Sequence, residues 1–66
     1  MNLVSMSFPA SRQNINTTRR LAREKDYTLK QEQDETFSLI DSQNGEQRFI
    51  KVSLAEIYGF LVRLDA

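Results

Sequence analysis

The chain has no cysteine and no histidine, one proline, two glycines, and only two tyrosines and four phenylalanines as aromatics. Without cysteine there can be no disulfide framework and no thiolate metal site. Without histidine the commonest transition-metal ligand and general base is missing, and nucleophile–base pairs built on it are excluded. The two glycines, Gly45 and Gly59, do not make a phosphate-cradling loop. Asp41, Asn44 and Glu46 offer oxygen ligands, but the spacing and central glycine of a calcium loop are absent. No apolar run approaches the roughly 20 residues of a membrane span. Met1–Phe8 is mildly apolar, yet it has no basic start and is interrupted by Ser5 and Ser7, which argues against a secretory leader. A small chain without covalent staples fits the cytoplasm better than an oxidising exterior. The expectation is a soluble cytoplasmic protein with no cofactor, no metal, no small-molecule substrate and no catalytic residues.

What is present is short and internally polarised. Sixty-six residues, 39% hydrophobic, allow one small domain. A chain of that length buries only about 60% of the surface its unfolded form exposes, so the core is thin. Nine basic residues balance nine acidic ones. Residues 1–25 carry five bases and one acid, a net +4, while residues 26–66 carry four bases and eight acids, a net −4. The expected organisation is an N-terminal tail or arm over residues 1–10 and one small domain over 11–66. In the arm reading, Leu3, Val4, Met6 and Phe8 dock on a sheet or on a second subunit.

Local pattern gives the order tail, α, β, β, β, α. Pro9 disfavours helix at Phe8, and Ser11, or the later Asn14–Thr17 group, can cap a helix start. From there to about Lys25 the residues are mostly good helix formers, with Ile15, Thr18, Leu21 and Ala22 near one face and the arginines mostly elsewhere. Tyr27–Glu32 and Thr36–Leu39 then alternate, placing Tyr27, Leu29, Phe37 and Leu39 on one face. Gln33-Asp34-Glu35 reads as a tight polar turn of solvated acids. Asn44-Gly45 favours a type I′ hairpin turn, and Arg48–Val52 reads as a further strand that adds Ile50 and Val52 to the core face. Ser53-Leu54-Ala55-Glu56 is a capping box, after which Leu54, Ile57, Tyr58, Leu61 and Leu64 recur at helical spacing. The fold class is α+β: a basic N-terminal helix, an antiparallel sheet of two or three strands, and a C-terminal amphipathic helix packed on it.

Arg20–Leu29, Phe37–Asp41 and Ser53–Ile57 ending in Phe60-Leu61 together resemble short reading frames of bacteria, plasmids and phages. Such frames carry glycine where this chain has Asp26, and the resemblance implies no activity. Helix–sheet–helix order also resembles the double-stranded RNA-binding domain, although Ser53–Glu56 stands where that domain has a basic cluster.

Two features point to function. The C-terminal helix is apolar around more than the ~100° stripe that a surface helix buries. Tyr58 and Phe60 are therefore expected at the surface and, with Phe8, as anchors for a protein partner or a second copy. Ala55 and Gly59 add a flat spot. The competing reading covers that helix with the first helix and the tail. The second feature is the basic helix: Arg12, Arg19, Arg20, Arg23 and Lys25 could neutralise phosphates, stand solvated or pair internally with the acidic second half, or meet an acidic protein. The expectation is a non-catalytic binding or regulatory module acting through protein–protein contact, a homodimer included. The alternative is a nucleic-acid-binding regulator that uses the basic helix.

Overall fold

The computed structural model describes residues 8–64. The elements are α1 (Arg12–Glu24), β1 (Tyr27–Gln31), β2 (Phe37–Asp41), β3 (Gln47–Val52) and α2 (Leu54–Arg63). The strands form one antiparallel sheet in the order β1-β2-β3. α1 packs on β1 and on α2, and α2 packs on β2 and β3. Both helices thus share one face of the sheet, giving the α+β arrangement of helices laid on an antiparallel sheet. Leu3, Val4 and Met6 of the expected arm lie outside the described residues.

Each helix starts where a serine can accept a hydrogen bond from a freed backbone amide. Ser11 Oγ accepts from the Asn14 N–H at 3.2 Å, and Asn14 Nδ2 donates back to the Pro9 carbonyl at 2.8 Å. Ser53 Oγ accepts from the Glu56 N–H at 3.3 Å. Beyond the Lys25 C-cap of α1, Asp26 reverses the chain with φ 65° while its N–H reaches the Arg23 carbonyl at 3.1 Å. Asp26 also ties the next loop, its carbonyl accepting from the Ser42 N–H at 2.9 Å.

The core is Ala22 from α1, Leu29, Phe37 and Leu39 from the sheet, and Leu54, Ile57 and Leu61 from α2. Tyr27, Phe49, Val52 and Phe60 pack against it, half-buried. β3 departs from the simple alternation the sequence predicts. Its pairing with β2 shifts on either side of Leu39, and Lys51 takes φ 53°. These bulges insert extra residues into β3, so Phe49 and Val52 share the core face. Ile50, expected inside, is 58% exposed.

The turns differ from expectation in the opposite sense. Asp34 and Glu35 both have positive φ, 54° and 61°, inside a turn closed from the Thr36 N–H to the Gln33 carbonyl at 3.1 Å. Positive φ at both central residues is the type I′ signature. At Asn44-Gly45 only Gly45 is left-handed, at φ 76°. There a longer loop closes from the Gly45 N–H to the Asp41 carbonyl at 2.8 Å. Asp41 Oδ1 and Asn44 Oδ1 accept from the Gln43 and Glu46 amides within it, both at 2.8 Å, so side chains shape this loop.

Candidate functional site

α1 carries the most concentrated charge. Thr18 and Ala22 are buried and Asn14, Ile15, Leu21 and Lys25 are half-buried, which fixes the inner face. Thr18 Oγ1 donates to the Asn14 carbonyl at 2.8 Å and so needs no partner across the core. At about 100° per residue, Arg19, Arg12, Arg23, Asn16 and Arg20 fall in that order within about 100° of the outer circumference. All five are exposed. From Arg12 to Arg23 the stripe runs about 16 Å along the axis. Arg12, Gln13, Asn16, Thr17 and Arg20 line an open cleft along it.

No ion pair among the described residues reaches this stripe, although the exposed Glu24 stands four residues after Arg20. Among the described residues the ion pair found is Lys30 with Glu32, at 4.0 Å and on the sheet. Arg12, Arg19, Arg20 and Arg23 have no ion pair or side-chain hydrogen bond among the described residues. The internal pairing with the acidic second half, one of the sequence expectations, is therefore not made by these four. Lys25, the fifth expected cation, is half-buried and lies off the stripe.

The aromatic residues behave differently. Phe8 stacks on Tyr58 with centroids 4.4 Å apart and an interplanar angle of 18°. Phe60 meets Tyr27 edge-on at 5.8 Å and Phe49 at 5.1 Å. The Arg48 guanidinium sits 5.3 Å from the Phe60 centroid, within cation–π range. Phe8, Tyr58 and Phe60 are all half-buried, so the three expected anchors are rings already seated against other rings. Phe49 and Arg48 escaped the sequence reading because only the bulged register of β3 turns Phe49 inward. The exposed large hydrophobics are Ile50, Val62 and Leu64. Phe49, Ala55, Glu56, Gly59, Phe60 and Arg63 line a shallow groove on the outer side of α2, and a Cβ built on Gly59 would meet nothing within 4 Å.

A third, polar cleft is lined by Glu32, Gln33, Asp34, Thr36 and Lys51 at the β1–β2 turn. Beside it the fully buried Ser38 donates to Glu32 Oε2 at 2.8 Å and accepts from the Lys51 N–H at 3.1 Å. This network anchors the bulge. Among the described residues no group of three or more acidic side chains could hold a metal ion, and no helix is long and apolar enough to cross a membrane.

Comparison of the chain with protein-family models, with curated proteins and with solved structures finds no match.

Proposed function

We propose that this protein is a non-catalytic cytoplasmic binding module, free of cofactor, whose α1 arginine face contacts nucleic acid. One observation carries the reading: four exposed arginines share one stripe, and among the described residues none of them forms an ion pair. Arg19 and Arg23 are four apart and Arg20 and Arg23 three apart, spacings at which like charges destabilise a helix by about 0.2–0.5 kcal/mol per pair. Glu24, four residues after Arg20, offsets part of that cost. A polyanion would offset more, because each phosphate neutralised also releases condensed counterions.

The test is fluorescence anisotropy of labelled nucleic acid titrated with protein at about 50 and 200 mM salt. Four phosphate contacts correspond to a log–log slope of about −3 to −4. Arg19→Gln, Arg20→Gln and Arg23→Gln together should abolish binding while leaving the fold intact, since all three side chains are exposed. Absence of binding at the lower salt sinks the proposal.

A second reading, contact with a protein partner or a second copy, is favoured by the α2 groove, where Ala55 and the open Gly59 lie between Glu56 and Arg63. Phe60 would then form the wall of the groove, and Phe8 and Tyr58 would brace α2, rather than insert into a partner. Sedimentation equilibrium decides whether copies associate. Gly59→Gln should return a dimer to monomer mass, and an unchanged mass removes the groove from any self-contact.

A further inference from the structure

We infer that the nucleic acid taken by α1 is duplex DNA, read from the major groove with Asn16 and Arg20 at the base edges. The inference rests on the nucleic-acid reading above and narrows it to one ligand class. The free part of α1 runs from Arg19 round to Thr17, an arc of about 160° at the helical period. Every residue on it is polar: Arg12, Gln13, Asn16, Thr17, Arg19, Arg20, Arg23 and Glu24, all exposed. Proteins that hold single strands stack successive bases on aromatic rings. No ring lies on this arc. Phe37 is buried in the core, and the other five rings are committed to the Phe8–Tyr58 and Tyr27–Phe60–Phe49 contacts.

A helix with one wide polar face and no stacking platform fits a groove. The major groove of B-form DNA, about 12 Å wide, admits an α-helix. The major groove of A-form RNA is too deep and narrow for side chains to read. Position on the arc then assigns roles. Asn16 and Arg20, one turn apart, stand at its crown, where side chains point to the groove floor. Asn suits the adenine N6 and N7 edge, and Arg suits the guanine O6 and N7 edge. Arg19, Arg12 and Arg23 occupy one margin, within reach of a phosphate strand. The α1 dipole places partial positive charge at the N-terminal end of the helix, which favours entry by the N-terminal half, where Arg12, Gln13, Asn16, Thr17 and Arg20 form the cleft.

The deciding experiment compares three labelled probes of one mixed sequence spanning about two helical turns: duplex DNA, its single strand, and the RNA duplex. Duplex DNA should bind at least about tenfold tighter than either of the others. Guanine N7-methylation, which places a methyl group in the major groove, should weaken binding to the DNA duplex. Arg20→Gln should remove that sensitivity. Equal or tighter binding of single strand or RNA duplex overturns the inference and leaves the nucleic-acid reading standing, as does indifference to N7-methylation. Failure of all three probes to bind overturns both.

Discussion

Single residues hold this fold at points where the backbone is strained or its polar groups are buried. Ser38 is the clearest case, being fully buried while it bridges Glu32 Oε2 and the Lys51 amide. Ser38→Ala leaves the Lys51 N–H without its acceptor. A buried donor left unsatisfied costs about 1–3 kcal/mol, so the urea midpoint should fall with an unchanged slope. Asp26 is the opposite case, a residue whose replacement should help. Its φ of 65° is a glycine conformation, and its carboxylate sits at the negative end of the α1 dipole. Asp26→Gly should stabilise the protein by about 0.5–1 kcal/mol, which calorimetry would register as a rise of about 4–8 °C per kcal/mol for a domain of this size.

At the scale of elements, the helices were more legible than the sheet. Helix signals are local: a serine three residues before an amide it can reach, then apolar residues three and four apart. Ser11 and Ser53 cap as that pattern implies. β3 was misread at Ile50 because a bulge is invisible to strict alternation, and Lys51, an ordinary lysine, gives no hint of its positive φ. The Asn44-Gly45 pair likewise advertised a two-residue turn, whereas Asp41 and Asn44 stabilise a longer loop through their own side chains. The bulges also serve β3 as an edge strand, since a twisted, interrupted edge is a poor template for pairing with another chain. α2 contains one removable weakness. Gly59 lies mid-helix with open space where a Cβ would go, so Gly59→Ala should raise stability by about 1 kcal/mol. Chemical denaturation checks this, and a loss of stability would show that the space is filled in solution.

For the whole molecule, the neutral total conceals a surface organised by sign. The basic helix and its arginines were legible in the sequence, but which of them stand together, and that none forms an ion pair among the described residues, depended on how α1 docks. The same limit applied to Phe8, Tyr58 and Phe60. The helical positions of Tyr58 and Phe60 were legible, whereas the ring contacts of all three join segments up to fifty residues apart in sequence. A consequence concerns stability and binding together. Arg19→Gln with Arg23→Gln removes a like-charge pair worth about 0.2–0.5 kcal/mol. The double variant should therefore unfold at slightly higher temperature than the parent while binding nucleic acid more weakly. Added salt should narrow the stability gap by screening the parent's repulsion. A double variant that is both less stable and unchanged in binding would remove the arginine stripe from any functional role.

The bridge from Lys51 to Ser38 also sets how the molecule breathes. Edge-strand amides ordinarily exchange their hydrogens with solvent through local fraying, at a small fraction of the global unfolding free energy. The Lys51 amide is held by an oxygen that is itself fully buried, and Ser38 lies on the central strand. Its release requires β3 to lift from β2 at the bulge or the Ser38 hydroxyl to rotate within the core. This one amide on an otherwise loose strand should therefore exchange more slowly than its β3 neighbours, reporting on the docking of the edge.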